Sequence, residues 1–234
     1  MTKIKKLSRS LSMILIATCF TGCAVVMPPN AGQDPRDPYE RYNRSMFSFN
    51  QELDKKVLKP VANAYADYTP DFLQTVIGNF FSNIGDVWTA ANNFLQGKPR
   101  DGTTDAMRVV FNSTIGLAGL LDIATPAGLP KHEEDFGQTL GVWGVKSGPY
   151  VVLPLFGSST MRDASAKPVD WAGDPLSYVN NIRARNSGRA IRIIDDRAAL
   201  LGASKLMEGA ALDPYEFMRD AYLQRRASRI NDQQ

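Results

Sequence analysis

The chain has 234 residues, of which 44% are hydrophobic and 22% charged, and its formal net charge is +3. This balance is typical of one folded domain or two small ones, and it excludes a disordered or collagen-like chain. With two Cys and one His, no metal centre built from several histidines is possible, and a His-dependent catalytic triad has to use His132.

The first 22 residues have the composition of a secretory signal peptide. A basic start precedes an apolar run, Leu11 to Phe20, which is too short to span a bilayer as a helix. Without the four basic residues of this segment, 23 basic residues remain against 24 acidic ones. A nearly neutral mature chain gives no support for nucleic-acid binding, so no nucleic-acid partner is expected.

The string Phe20-Thr21-Gly22-Cys23 resembles the bacterial lipobox, although Phe20 replaces the usual Leu. The resemblance implies cleavage after Gly22, and a diacylglycerol and an N-acyl chain on Cys23. The alternative is a plain signal peptide with a chance Cys. Ala24 follows the Cys, and the absence of Asp there favours the outer membrane over retention at the inner membrane.

Composition divides the rest of the chain into a tether, one folded domain and a short tail. Prolines and glycines predict a flexible tether over 23–36. A single helical domain is expected over 37–230, with a tail over 231–234. Its first helix is predicted to start with Asp37 as N-cap and to be interrupted at Pro60.

Two further apolar segments predict long helices. The first is capped at Thr69-Pro70-Asp71 and stopped by Gly97, with an apolar stripe along one side. The second, Thr103 to Thr125, is apolar nearly all round, which indicates a helix buried in protein or facing lipid. The mature chain has no apolar run of 18 residues, so no conventional transmembrane helix is expected.

Glycines dominate the segment 134–157. Gly137, Gly141 and Gly144 are expected to share one helix face and to admit another backbone at close range. A short extended piece is predicted at Tyr150–Leu153, and a last helix from Asp213 to about Arg229. Strand signals are otherwise almost absent, so the predicted fold class is all-α with little or no β structure.

Few catalytic signatures occur in the chain. It has no G-x-S-x-G elbow and no phosphate-binding loop. His132 stands in an acidic loop, where a solvated His is favoured over a catalytic base. A basic run suggests contact with lipid phosphates, although ordinary surface charge is the stronger interpretation. The run comprises Arg183, Arg185, Arg189, Arg192 and Arg197.

Several stretches in one order resemble the MlaA/VacJ outer-membrane lipoproteins, over about residues 37–229. They are Asp37-Pro38, Asn43-Arg44, Phe47-x-Phe49-Asn50, Phe94-Leu95-Gln96-Gly97, Arg108, Asn112, Gly116 to Ala124, Asp135 to Gly141, Gly144 to Pro154, Gly157, Arg162-Asp163 and Asp213-Pro214-Tyr215 with Arg219, Ala221-Tyr222 and Gln224-Arg225. One departure is the short C-terminus, since some members carry a long acidic tail.

The resemblance implies a ring of helices seated in the inner leaflet of the outer membrane and associated with a trimeric porin. It implies a non-enzymatic function: phospholipids that have strayed into the outer leaflet pass through an amphipathic channel to a periplasmic carrier protein. Within such a protein, the Gly-rich segment is expected to line or gate the lipid path. The candidate gate residues are Gly137, Gly141, Gly144, Gly148, Pro149, Tyr150 and Pro154.

Two alternative functions remain open from the sequence. One is a structural outer-membrane lipoprotein that acts as a scaffold and handles no lipid. The other is a lipid hydrolase that uses Ser113 or Ser147 with His132. Phospholipid bound to the purified protein would argue against the scaffold. The hydrolase would have to release a fatty acid or a lysolipid.

Overall fold

The computed structural model describes residues 33–210 and 212–231, and this part of the chain is mainly helical, which confirms the predicted class. The helices are α1 (Glu40–Leu53), α2 (Lys59–Tyr68), α3 (Asp71–Leu95), α4 (Pro99–Thr114), α5 (Phe136–Val142), α6 (Met161–Gly173), α7 (Ile182–Ala199), α8 (Leu201–Ala210) and α9 (Pro214–Asn231). A π-helical turn (Asp54–Leu58) and a 3-10 turn (Pro175–Tyr178) complete the helical segments.

Pro60 does not interrupt the first helix, contrary to the prediction. The π-helical turn joins α1 to α2, and the N–H of Lys59 bonds to the carbonyl of Asp54, five residues back. A wider turn directly before the proline makes room for its ring, so the chain remains helical to Tyr68.

The Asp213 cap is confirmed and the Asp37 cap is wrong. Asp213 Oδ1 accepts the N–H groups of Tyr215 and Glu216 at the start of α9. Asp37, by contrast, is fully buried, and its carboxylate accepts hydrogen bonds from the side chains of Asn43 and Tyr215. Because this carboxylate bonds to those side chains, it does not cap the helix, and α1 begins only at Glu40.

Helix α3 runs as predicted from the Thr69–Asp71 signal to a Gly97 with φ of +77°. Helix α4 packs along it but ends at Thr114, not near Thr125 as predicted. The chain then turns because Asn112 Oδ1 accepts the N–H groups of Ile123 and Ala124, at 2.8 and 3.0 Å. These bonds favour a compact loop over further helical turns.

The Tyr150–Leu153 strand is confirmed as β1, and it pairs with β2 (Gly157–Thr160), which the sequence analysis did not predict. The two strands are antiparallel, with Tyr150 opposite Thr160. Tyr150 and Val152 form a small buried apolar cluster with Tyr215 of α9. Among the described residues, no helix combines the length and apolar character needed to cross a membrane.

Candidate functional site

The buried side of α3 is polar, the reverse of an ordinary globular core. The fully or nearly buried side chains of this helix are mostly amides, a carboxylate and a hydroxyl, and they face polar residues of α4. They are Asn83, Asp86, Thr89, Asn92 and Asn93, opposite Asp105, Arg108 and Asn112. Over the described chain, buried polar and charged residues outnumber buried apolar ones by about two to one.

Arg108 is the centre of this interior and is 1% exposed. Its Nε lies 3.3 Å from Asp86 Oδ2, and its Nη1 donates to the carbonyl of Leu129 at 2.7 Å and to Thr125 Oγ1 at 3.1 Å. Lys131 Nζ reaches the other oxygen of Asp86 at 3.0 Å. The guanidinium therefore holds the loop over 115–131 against α3 and α4.

Asp122 fixes the middle of that loop. Burial favours its neutral form, but hydrogen bonds from the side chain and backbone of Thr125, with the nearby Arg108 charge, outweigh this effect and lower the pKa of the carboxyl. Asn112 Nδ2 also donates to it, at 3.2 Å. The loop is thus fastened by charged and amide groups of α4.

The apolar side chains of the same elements lie on the outside. In the loop, Ile115 and Leu117 are both 63% exposed. On α3 and α4, several large side chains are between 45% and 67% exposed, among them Phe72, Phe94, Leu95 and Val110. So large an apolar exterior is typical of a surface that contacts lipid or another protein.

The turn that begins the loop is conformationally demanding. Leu117 and Ala118 both have positive φ, at 55° and 61°, and Gly119 follows at 88°. A Cβ at Gly119 would lie 2.6 Å from Asn83 Nδ2, so only glycine fits against α3. The backbone thereby holds the Leu117 side chain outward at a cost of roughly 1–2 kcal/mol per left-handed residue.

The sequence analysis favoured a solvated His132. In the structure this side chain instead bonds to a buried carboxylate. Its Nδ1 lies 3.1 Å from both oxygens of Asp105. Burial raises the pKa of Asp105, while His132 opposes the rise. Ser113 Oγ accepts from Asn83 Nδ2 at 2.9 Å, and no described hydrogen bond joins Ser113 or Ser147 to His132.

The structure places the candidate gate residues at three locations. Gly137 and Gly141 lie in α5, whereas Gly144 follows that helix with φ of +89° and does not share its face, contrary to the prediction. Helix α5 stops at Val142, so the expected three-glycine face does not form. Gly148, Pro149, Tyr150 and Pro154 belong to the approach to the hairpin, β1 and its turn.

Close approach at the two helical glycines agrees with their small size. A Cβ at Gly141 would lie 2.7 Å from Ile230 Cδ1 and 2.8 Å from Arg162 Nη1. At Gly137 the neighbours would be Asp163 and Arg226, both under 3 Å away. These positions admit side chains of α6 and α9, and whether the segment gates a lipid path stays a prediction.

Two asparagines of α1 clamp the hairpin through its backbone. Asn43 exchanges hydrogen bonds with the carbonyl of Tyr150 and the N–H of Val152, at 3.1 and 2.7 Å. Two helical turns further along α1, Asn50 exchanges hydrogen bonds with the carbonyl of Leu153 and the N–H of Leu155, at 2.9 and 2.7 Å. The sequence analysis quoted both residues for the resemblance but assigned neither a role.

Helix α9 is fastened by ion pairs. Arg226 bonds to both oxygens of Asp135 at 2.6 Å and to Asp163 at 3.0 Å. Burial disfavours the Asp163 carboxylate, but Arg226 and the Tyr222 hydroxyl outweigh it and lower its pKa. Arg219 approaches Asp37 at 3.4 Å. The C-terminal helix therefore closes the fold onto the segment that follows the tether.

Gly22 and Cys23, with the signal peptide and most of the tether, lie outside the described residues. The first contacts that follow them are made by Asp34 and Arg36. Arg36 Nη2 pairs with Asp34 at 2.6 Å, and the Arg36 carbonyl accepts the N–H of Tyr150 at 2.8 Å. The last residues of the predicted tether therefore already contact the folded domain, at the first residue of β1.

Comparisons with known proteins agree with this arrangement. The family model described as MlaA lipoprotein matches residues 35–229. The Escherichia coli intermembrane phospholipid transport system lipoprotein MlaA is 36% identical over 220 residues, which cover 92% of this chain and 85% of that protein. An uncharacterized protein of Rickettsia felis is 36% identical over 186 residues, covering 79% of this chain and 74% of that one.

A solved structure, described as the structural basis for maintenance of bacterial outer membrane lipid asymmetry, has a TM-score of 0.73 and 38% sequence identity to this chain. The match covers 83% of this chain and 98% of the solved one. Sequence and backbone thus agree over nearly all of the described residues. The chain belongs to the MlaA lipoprotein family.

Proposed function

We propose that this protein takes part in intermembrane phospholipid transport. It removes phospholipids that have strayed into the outer leaflet of the outer membrane and delivers them to a periplasmic carrier protein, which maintains lipid asymmetry. The observation that supports the proposal most is the inverted distribution of side chains: polar groups of α3 and α4 are buried, while the apolar ones lie outside. Its relatives carry the corresponding name.

This distribution suits a protein seated in one leaflet. The exposed aliphatic and aromatic side chains of α3, α4 and the loop would contact acyl chains. Exposure of an apolar surface of this size to water is unfavourable. Buried polar side chains would form an interior compatible with a charged head group. A ring of helices around an amphipathic channel, associated with a trimeric porin, is the arrangement we propose.

The transported lipid explains why a shielded path is required. Two acyl chains of about 15 methylenes each would cost about 24 kcal/mol to expose to water, at about 0.8 kcal/mol per CH₂. A barrier of this height leaves no useful transfer rate. The proposed path lowers this barrier because the acyl chains stay against the apolar outer side chains of α3, α4 and the loop instead of water, while the head group meets the polar interior. The chain needs no enzymatic step for this.

The anchor belongs to the same proposal. Acylated Cys23 would hold the protein to the periplasmic side of the outer membrane, since two or more acyl chains give lasting attachment. The part of the tether before Asp34 would then connect the anchor to Asp34 and Arg36, where contacts with the folded domain begin.

Quantifying bound phospholipid tests the proposal against both alternatives. The protein, purified in detergent from its own membranes, should carry intact phospholipid. A scaffold that handles no lipid should carry no more than a detergent-extracted control lipoprotein. A hydrolase should release fatty acid or lysolipid, and His132→Ala should abolish that release; the proposal expects no such product.

A further inference from the structure

The long helical segment that follows the tether has a hydrophobic stripe along its outer side. Helix α1, the π-helical turn and α2 run without a break from Glu40 to Tyr68. Five large hydrophobic side chains of this segment are between 41% and 88% exposed. At about 1.5 Å per residue, they extend over about 39 Å. These residues, the outer stripe, are Tyr42, Phe49, Val57, Val61 and Tyr68.

The π-helical turn brings the two halves of the stripe onto one side. Tyr42 and Phe49, both in α1, are seven residues apart, which is an offset of about 20° around an α-helix. Phe49 and Tyr68 are 19 residues apart, and in an uninterrupted α-helix they would differ by about 100°. Between them the N–H of Lys59 bonds five residues back to Asp54, so the turn takes up one extra residue and removes this difference.

The other side of the same segment packs on the rest of the fold. Asn43 and Asn50 of α1 bond to the backbone of the hairpin. In α2, Ala62 is fully buried, and the Tyr65 hydroxyl donates to Asp195 Oδ1 of α7 at 2.7 Å. The segment is therefore one-sided: polar and small side chains face the protein, and the outer stripe faces outward.

We propose that α1 and α2 lie along the periplasmic surface of the outer membrane, with the outer stripe in the boundary between lipid head groups and acyl chains. A helix with one hydrophobic side and lysines beside it is typical of segments that lie in the plane of a membrane. Lys55, Lys56 and Lys59 occur at the π-helical turn, and the first two are exposed. Side chains of this type cover apolar surface with their methylenes while the ammonium reaches lipid phosphates.

The position of the tether favours a membrane over a protein as the occupant of the stripe. Ten residues separate Cys23 from Asp34, so the proposed anchor is at most about 40 Å from Asp34. The carbonyl of Asp34 accepts the N–H of Asp37, and the carbonyl of Asp37 accepts the N–H of Glu40. The tether thus ends at the start of α1, and the anchor would hold this end of the stripe close to the lipid surface that it enters.

Photocrosslinking of the full chain in the bacterium's own membranes tests this placement, which rests on the proposed seat in the outer membrane but not on lipid transfer. Tyr42, Phe49 and Tyr68 are replaced one at a time by p-benzoylphenylalanine, which bonds under ultraviolet light to C–H groups in contact with it. All three positions are exposed, so a larger aromatic ring should leave the fold intact, and thermal unfolding in detergent verifies this. Mass spectrometry of the purified chain identifies each adduct as phospholipid or protein.

Gln51 and Asp67 are exposed positions of the same two helices outside the stripe, and they receive the same label as matched controls. We expect each stripe position to give at least about fivefold more phospholipid adduct than either control, because only the stripe faces lipid. Phe49 and Tyr68 together test the register, since they lie before and after the π-helical turn.

A protein as the main adduct of the stripe positions, from a porin or a periplasmic carrier for example, would overturn the proposal. So would a yield of phospholipid adduct at the stripe no greater than at Gln51 and Asp67. Because crosslinking requires contact and not transfer, lipid adducts from a protein that transports no phospholipid would contradict the proposed function alone. Transport by a protein whose stripe gives no lipid adduct would contradict only this inference.

Discussion

At the scale of single residues, the protein is held together by charged groups that meet partners far away in sequence. Arg108 contacts Asp86 in α3 and the carbonyl of Leu129 in the loop over 115–131. The sequence analysis quoted Arg108 and Asn112 for the resemblance, yet it placed both in an apolar helix running to Thr125. Sequence periodicity reports on the face of a helix, and it carries no information on which carboxylate a buried guanidinium will meet.

The Arg108 site predicts a large loss of stability. Arg108→Gln leaves Asp86 with Lys131 alone and removes donors from Thr125 and Leu129. Breaking a buried pair on one side typically costs about 3–5 kcal/mol. Denaturant unfolding in detergent should show this loss, whereas Arg100→Gln, an exposed position on the same helix, should change stability by less than about 0.5 kcal/mol. Equal effects of the two substitutions would contradict the role of Arg108.

A pH-dependent contribution is expected where the tether meets the fold. The hydrogen bond from Arg36 lowers the pKa of Asp34 from 3.8 to about 2, although burial opposes it. A depressed folded pKa means stability that is present above about pH 4 and is lost as the pH falls toward about 2.

Asp34→Asn should therefore destabilise the protein at pH 7, by less than about 1 kcal/mol because the pair is partly exposed. The difference from wild type should disappear near pH 2. Asp67→Asn, at an exposed position without a described ion pair, provides the control at each pH. A stability difference between wild type and Asp34→Asn that grows on acidification would contradict the predicted direction of the pH dependence.

At the scale of elements, local signals predicted two helix starts correctly, and long-range contacts decided where several other elements begin and end. The start signals at Thr69–Asp71 and Asp213 are encoded within four residues, and both helices start there, although only Asp213 forms a side-chain cap. The π-helical turn before Pro60, the end of α4 and the strand β2 depend on partners elsewhere. Gly157–Thr160, for example, has weak strand propensity and is extended because it pairs with β1.

The Gly-rich segment offers a test of gating that is separable from folding. At Gly144 a Cβ would meet no atom within 4 Å, although φ is +89°, so Gly144→Leu should cost only about 1–2 kcal/mol of backbone strain. If the segment gates lipid, bacteria that carry the stable variant should accumulate phospholipid in the outer leaflet. They should also become sensitive to detergent combined with a chelator. A stable Gly144→Leu protein with full barrier function would remove the segment from the mechanism.

Gly141→Leu is the structural comparison for that experiment. Ile230 and Arg162 occupy the space beside Gly141, so the added side chain overpacks the contact between α5, α6 and α9. Overpacking of this kind typically costs about 1–3 kcal/mol. Thermal unfolding should therefore show a loss of stability in Gly141→Leu that has a steric cause. A barrier defect in Gly141→Leu alone would report on folding and would not identify a gate.

At the scale of the whole molecule, the sequence predicted a helical class and left open whether its apolar stripes were core or lipid-facing. Hydrophobic patterning marks which residues share a face but not whether that face points inward. The structure places polar side chains on the buried face of α3 and leaves Phe72 and Phe94 at least half exposed. Tertiary packing alone carried that information.

An apolar exterior predicts that the folded domain needs a membrane or detergent even without its anchor. A chain that lacks residues 1–22 and has Cys23 replaced by Ser should aggregate in plain buffer and become monodisperse in detergent, as measured by size-exclusion chromatography with light scattering. The lipidated full-length protein is the control. A monodisperse monomer in buffer would indicate a surface that does not require lipid.

The level of phospholipid in the outer leaflet tests the central claim most directly. Deleting the gene in its own bacterium should raise the fraction of phospholipid accessible to an outer-leaflet-specific probe, because strayed lipid is no longer removed. Expression of the wild-type chain should restore the original level. An unchanged outer leaflet in the deletion strain, with the inner-membrane and periplasmic parts of the route intact, would contradict the account.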